Sequence, residues 1–359
     1  MQHALSQFLR AEFRPPNYLA LPTAGVDISA SGIKVVCLTE RAHGLELYAA
    51  SDVELPSGVI SGGEIADRPK VVAALRELSK RHHFKRANIA LPEARGYLFE
   101  ALVPDAPRGE QRTAIEPHLE EYVPLPSNDV SFDFAPLSSE GGQVRAVGVG
   151  YAHRVVEESV RALEEAGIEV RSAESETFAL PRAILPSGSK ETVLIVDIGK
   201  STTKLLVASG RLPRFVTTLD IGGHALTLAI GKYFGATEEE ARKIKIEHGI
   251  ASDAGNEDYL AAMLSTVSVI RDEIVRRFQY WQSHTDASHD PISRVLLVGG
   301  NSSVRGISEY LADSLKVPVS QGNVFQNLAP EHVGHAPLDP TAALAYGTAI
   351  GLALRDYEH

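Results

Sequence analysis

The sequence predicts an α/β protein of two related domains with a ligand cleft between them, on three observations. A strand–Asp–turn–strand pattern is written twice, at residues 25–36 and again at 194–206. Each half continues with short apolar strands alternating with amphipathic helices, the texture of sheets covered by helices. An apolar run over 295–298 ends in Gly299-Gly300-Asn301-Ser302, a turn at which a ligand can approach the backbone closely.

The repeated pattern carries the chemistry. The first copy reads Gly25-Val26-Asp27-Ile28-Ser29-Ala30-Ser31-Gly32-Ile33-Lys34, and the second reads Val196-Asp197-Ile198-Gly199-Lys200-Ser201-Thr202-Thr203-Lys204. In both, a lysine follows the aspartate by seven residues. A hairpin tip of this kind offers N–H groups and hydroxyls to a polyphosphate. An aspartate repels phosphate, so Asp27 and Asp197 are read as holding a hydrated Mg²⁺. One such hairpin is an ordinary Gly/Ser turn. The matched pair reports architecture, two facing hairpins that clamp a nucleotide.

Bulk composition sets the frame. A chain of 359 residues accommodates two ordinary domains. A formal charge of −11 without a basic stripe argues against nucleic acid and against docking on anionic lipid. The one cysteine, Cys37, sits in an apolar run, which excludes an internal disulfide and reads as a small buried hydrophobe. No stretch reaches the roughly 20 apolar residues of a membrane span. Glu12 and Arg14 interrupt any signal-peptide core, so the expected compartment is the cytoplasm.

The expected organisation is a leader over 1–23, with a short helix over 4–13 stopped by Pro15-Pro16. A first domain opens over 24–96, with strands over 26–38, 45–53 and 88–91 and a helix over 69–82. An inserted block over 97–172 reads strand, helix (110–122), strand, strand, helix (153–166). A connecting segment spans 173–190, with Pro186-Ser187-Gly188-Ser189 as linker. The second domain spans 191–337 and includes a helical part at about 236–290. Within it a helix is expected over 303–315 and a strand over 317–319. Residues 338–359 form a last helix, 340–355, returning to the first domain, with Gly347 and Gly351 permitting close packing.

Other motifs add to the cleft. Asp220-Ile221-Gly222-Gly223-His224 opens a helix where backbone crosses close to the nucleotide. Thirteen histidines show no HxH or HExxH spacing, so a histidine metal site is unsupported. Glu174 and Glu176 lie at the crossover between the halves. A carboxylate there orients a water toward a terminal phosphate, or the pair is merely solvated at a helix start.

Taken together, these motifs resemble the actin-like ATPase superfamily, and within it the PilM family of type IV pilus assembly. Further segments carry the resemblance: Ala90-Leu91-Pro92-Glu93 with Val103-Pro104, and the stretch from Ala114-Ile115-Glu116-Pro117 to Tyr122-Val123-Pro124. The second belongs to an insert shared with the division protein FtsA. The resemblance implies an actin-like (ribonuclease H-like) two-domain fold with an FtsA-like inserted subdomain. It implies ATP and Mg²⁺ as ligands, with Asp27 and Asp197 holding the metal through water. Ser29, Ser31, Lys34, Gly199, Lys200, Ser201 and Thr202 face the phosphates. Gly222, Gly223, Lys245, Gly299, Gly300, Asn301 and Ser302 line the adenosine side, and Glu176 stands in the first connecting helix as the catalytic candidate. Ser29 stands where the family commonly has Gly, and Arg242 where many relatives have an acid that contacts the nucleotide.

The implied role is a scaffold that binds the cytoplasmic N-terminal tail of a PilN-like inner-membrane protein. The tail lies in a groove beside the insert, tethering the chain peripherally to the inner face of the membrane through protein contacts. Hydrolysis and oligomeric state stay open. Three alternatives stand beside it. An FtsA-like division protein would carry an amphipathic tail, which is not expected after Arg355. A sugar or small-acid kinase would need a base carboxylate in the insert region. A heat-shock chaperone motor would need a substrate domain for which no chain is left.

Overall fold

The structure is a computed structural model that describes residues 23–41, 43–250, 257–284, 290–329 and 337–357. The expected leader helix over 4–13 lies outside the described residues. Alternating apolar residues give a three-strand meander, β1 (Thr23–Ser29), β2 (Gly32–Arg41) and β3 (Gly44–Glu54). A small ladder of β4 (Ile60–Ser61) with β5 (Glu64–Ile65) leads to α1 (Arg68–His82). Asp67 caps α1, and Val71, Val72, Leu75 and Leu78 turn inward at helical spacing.

Next come β6 (Arg86–Leu91), β7 (Gly96–Pro104), α2 (Arg108–Ile115), α3 (Leu119–Tyr122), β8 (Val130–Glu140) and β9 (Gln143–Ala152). Strands β7, β9 and β8 form their own antiparallel sheet, with Phe99, Ile115, Phe132 and Phe134 in a separate core. Helix α4 (His153–Glu165) and strand β10 (Glu169–Ser175) follow. The first sheet runs β10-β6-β1-β2-β3.

The second half repeats that plan. It comprises α5 (Glu176–Ile184), β11 (Thr192–Ile198), β12 (Thr203–Ser209), β13 (Leu212–Leu219), α6 (Gly223–Phe234), α7 (Glu238–His248) and α8 (Glu257–Ser283). It ends with β14 (Arg294–Val298), α9 (Ile307–Leu315), β15 (Val319–Gln321), α10 (Pro340–Ala343) and α11 (Gly347–Leu354). The sheet order is β13-β12-β11-β14-β15, the first sheet's plan with β11 in the place of β1. Among the described residues no helix is long and apolar enough to cross a membrane.

One core joins the halves: Val36 and Leu47 from the first sheet meet Ile195 and Leu206 from the second around α5 and α11. Every residue of α11 is buried. A Cβ on Gly25 would lie 2.0 Å from the Ala349 carbonyl, and one on Gly351 would lie 1.8 Å from that of Ala179. Glycine at those two positions is what lets α11 lie on β1 and on α5.

Several expected elements differ. The helix over 110–122 is broken into α2, a 3₁₀ turn and α3, because Pro117 sits in the first turn after Ile115. The block over 97–172 packs as two pieces. Its three strands form the separate sheet, while Ala162 and Leu163 of α4 join the first core and β10 becomes the edge of the first sheet. The β10 residues are half polar, as an edge permits, and the sequence pattern hides the strand. Glu174, weighed as solvated, is instead mostly covered, its side chain 9% exposed and paired with Arg182. Helix α9 starts later than residue 303, because Gly306 takes a left-handed φ of 86° before it. The strand expected over 317–319 lies at Val319–Gln321, and the helix over 340–355 is interrupted by a 3₁₀ turn at Leu344–Tyr346.

Candidate nucleotide site

The two hairpins place their charged residues by strand register. Asp27 lies directly opposite Lys34 in the β1–β2 ladder, and Asp197 directly opposite Lys204 in the β11–β12 ladder. The first hairpin turns at Ala30 and Ser31. Ser29 braces that turn, its Oγ donating to the Gly32 carbonyl at 3.1 Å and lying 3.0 Å from Ser31 Oγ. The second tip is the longer loop Gly199–Thr202, closed by the Gly199 amide donating to the Thr202 carbonyl at 2.9 Å. Both tips open into one cavity of about 250 Å³, with Glu176 at the start of α5 on its wall.

Three carboxylates, Asp27, Glu176 and Asp197, meet three lysines, Lys34, Lys200 and Lys204, there. Burial pushes the Asp27 carboxyl up to about 6, against the pull of Lys34. Burial also raises the Asp197 carboxyl, opposed chiefly by Lys204. Burial disfavours charge on Lys204, but Glu176 and Asp197 outweigh it and its ammonium is held above the ordinary lysine range. Lys204 Nζ pairs with Glu176 Oε2 at 2.6 Å, and the other Glu176 oxygen accepts the Glu93 amide at 2.8 Å. The two aspartates, facing each other across this buried cavity, are the hard oxygen donors a divalent cation takes. Among the described residues no group of three His, Cys, Asp or Glu gathers as a cage. Asp27 and Asp197 would therefore hold Mg²⁺ through its water shell, where the ion would neutralise phosphate charge.

The rear wall is the turn after β14. Gly299 has φ 89°, and a Cβ on it would lie 2.3 Å from Asp197 Oδ1, so only glycine lets the turn pass behind that carboxylate. Asn301 Nδ2 donates to the Gly199 carbonyl at 2.9 Å and ties the turn to the second hairpin. Lys245 Nζ donates to Asn301 Oδ1, Thr227 Oγ1 and the Gly223 carbonyl at 2.7, 3.1 and 3.2 Å. Burial, then Arg242, brings the Lys245 ammonium down to about 8. A second cavity of about 310 Å³, lined by Thr227, Arg242 and Lys245, meets the first through Lys200, Gly300 and Asn301. The arrangement offers a phosphate-and-metal chamber opening into a separate chamber of nucleoside size.

Most of the expected residues converge on these chambers. Asp27, Ser29, Ser31, Lys34, Glu176, Asp197, Gly199, Lys200, Ser201, Thr202, Gly299, Gly300 and Asn301 line the first, and Lys245 lines the second. Gly222, Gly223 and Ser302 line neither and act from behind. A Cβ on Gly222 would come within 2.8 Å of the Gly199 and Lys200 carbonyls, and one on Gly223 within 2.0 Å of the Asn301 side chain. Ser302 is fully buried and donates to the Gly299 carbonyl at 2.7 Å. Glu174 points elsewhere, into pairs with Arg182 and Arg355. Sequence reasoning passed over Lys204 as a site residue, although its seven-residue spacing from Asp197 was the available signal. It also missed Thr348, which enters the cavity only because the chain returns there.

Comparison with known proteins agrees with this geometry. The family model for the type IV pilus assembly protein PilM matches residues 25–357. Among solved structures, a PilM–PilN type IV pilus biogenesis complex aligns at 25% identity and a TM-score of 0.76, covering 94% of this chain and 99% of that one. MreB5 of Spiroplasma citri bound to ADP gives 14% identity and a TM-score of 0.55 over 95% of this chain and 99% of that one. Ethanolamine utilization protein EutJ of Carboxydothermus hydrogenoformans gives 18% and 0.53 over 95% and 90%. The cell division protein FtsA of Borreliella burgdorferi is 24% identical over 218 residues, 55% of this chain and 51% of that protein. FtsA of Neisseria meningitidis serogroup B is 24% identical over 220 residues, 56% of this chain and again 51% of that protein. The chain thus spans about half the length of these curated relatives. The fold is actin-like, and the chain belongs to the PilM family of type IV pilus assembly proteins.

Proposed function

We propose that this pilus assembly protein is an ATP- and Mg²⁺-binding scaffold that docks on the N-terminal tail of a PilN-like inner-membrane protein. The tail would tether it to the inner face of the membrane. The observation that carries the reading is a third cavity, about 430 Å³, beside the three-stranded insert. It lies between β8, the edge of the insert sheet, and β10, the edge of the first sheet. Val149, Tyr151, Val156 and Phe178 make it apolar, and Arg108, Asp133 and Glu174 give it charged rims. A trough between two strand edges suits an extended apolar peptide, which can add main-chain hydrogen bonds to either edge. The PilM–PilN complex, a structural relative over nearly the whole chain, supports a peptide partner of this kind.

Helix α5 connects this groove with the nucleotide chamber. Ser175 and Phe178 line the groove, while Glu176 and Leu180 line the chamber. A shift of α5 on binding either ligand would alter the other site, and the coupling would be reciprocal. The test is calorimetric titration of the full chain with a PilN-like N-terminal peptide, with and without saturating Mg-ATP. Ala135→Arg, on the groove wall, is expected to abolish peptide binding and to leave ATP binding intact. Peptide affinity indifferent to Ala135→Arg would remove the groove from the reading. Affinity indifferent to ATP would remove the coupling.

A further inference from the structure

We propose that Lys204 is a positioning residue that withholds Glu176 from water and so keeps bound ATP intact; this rests on the nucleotide reading above. Besides the two aspartates, Glu176 is the one carboxylate among the described residues that lines the phosphate chamber. Hydrolysis there requires a proton acceptor. The water oxygen forms a bond to the γ-phosphorus, the bond to the bridging oxygen breaks with its electron pair left on ADP, and a water proton must go to a base. Each Glu176 oxygen already holds a donor, so the carboxylate is turned to protein partners and not to a water in line with the phosphate. Oε2 holds Lys204 Nζ at 2.6 Å and Oε1 holds the Glu93 amide at 2.8 Å. Both partners of the ion pair are largely buried, with side-chain exposures of 14% and 18%. A charge-assisted bond in such surroundings fixes the orientation of the carboxylate.

The clamp is built into the second sheet. Asp197, Lys204 and Thr218 are direct cross-strand neighbours on β11, β12 and β13. Lys204 grips Glu176, and Thr218 Oγ1 donates to Glu93 Oε2, so one rung of the sheet fixes both glutamates. Lys34, the counterpart of Lys204 in the first hairpin, makes no ion pair among the described residues and lines the same chamber. Equivalent hairpin positions are thus put to different uses, Lys34 facing the ligand and Lys204 restraining a base.

The test is single-turnover cleavage of Mg-[γ-³²P]ATP by excess full-length protein, with affinity measured separately by displacement of a fluorescent ATP analogue. K204M keeps the aliphatic stem and is expected to cleave bound ATP at least tenfold faster than wild type, with affinity within about threefold. That gain is expected to vanish in K204M/E176Q. K204R, which can still hold the carboxylate, is expected to match wild type. A K204M protein that binds ATP normally and cleaves it no faster overturns the proposal. So does an affinity loss beyond tenfold, which would make Lys204 a phosphate ligand. Should K204M fail to fold, K204R decides alone: a wild-type rate supports the clamp, and cleavage tenfold faster overturns it. A wild type that takes up no ATP removes the nucleotide reading and this proposal together, whereas the other outcomes leave that reading standing.

Discussion

Asn301 and Lys245 are joined across the rear of the cleft, the lysine ammonium donating to the amide oxygen at 2.7 Å. The same amide donates its nitrogen to the Gly199 carbonyl, so a single side chain links the nucleoside chamber to the second phosphate hairpin. N301A removes both bonds and leaves a buried ammonium short of an acceptor. The expected cost is about 1–3 kcal/mol in denaturant unfolding. ATP affinity is expected to fall by roughly a factor of ten, which corresponds to about 1.4 kcal/mol. Unchanged ATP titration in N301A would show that the hairpin holds its shape without this tie.

Asp27 predicts a trade between stability and ligand binding. Its folded-state value of about 6 lies above the ordinary 3.8. The cost of ionising it in the fold is therefore absent at low pH, develops between those two values and is complete above the upper one. D27N is expected to be more stable than wild type at pH 7 by on the order of 2 kcal/mol, while losing Mg²⁺-dependent ATP binding. In wild type that binding is expected to fall as pH drops through about 6. A D27N protein that melts below wild type at pH 7 would contradict the burial argument.

Gly299 is expected to tolerate no side chain. G299A forces a Cβ to within 2.3 Å of Asp197 Oδ1 at a φ of 89°. About 1–3 kcal/mol of strain follows, together with displacement of the carboxylate that would face the metal. Thermal unfolding and ATP titration should both show the loss, and retention of ATP binding would mean the turn relaxes without moving Asp197.

Glu174 makes a prediction that separates stability from the nucleotide chamber. It pairs with Arg182 and Arg355, and Arg182 also donates to the Gly351 carbonyl of α11. Removing one partner of a buried pair typically costs about 3–5 kcal/mol. E174A should therefore lower the unfolding midpoint strongly, while chamber residues keep their ATP affinity. A midpoint within experimental error of wild type would place the pair among those that merely offset their own desolvation.

Local pattern carried much of this into the sequence. The seven-residue spacing of Asp and Lys is the cross-strand register of each hairpin, which is why Asp27–Lys34 and Asp197–Lys204 were visible before any coordinates. Gly299-Gly300-Asn301 was visible because glycine reports backbone geometry directly. Features that depend on distant chain segments were not. Strand β10 is half polar because it lies at an edge, and its identity rests on pairing with β6. The role of Thr348 depends on α11 returning to the cleft, and that of Lys204 on the distant start of α5. Gly222, Gly223 and Ser302 lie one layer behind the cavity wall, a depth that spacing along the chain does not carry.

The two hairpins also differ from each other in a way that would give a bound nucleotide a direction. The two halves share one strand order and each contributes a hairpin to the cleft, yet a nucleotide has a head and a tail. A symmetric clamp would accept it either way round. The first tip turns in two residues, and the second spreads over four and carries Lys200 out to the wall shared with the nucleoside chamber. This difference in loop length is where the duplication loses its symmetry, and it gives the cleft a polarity that neither copy of the motif has alone.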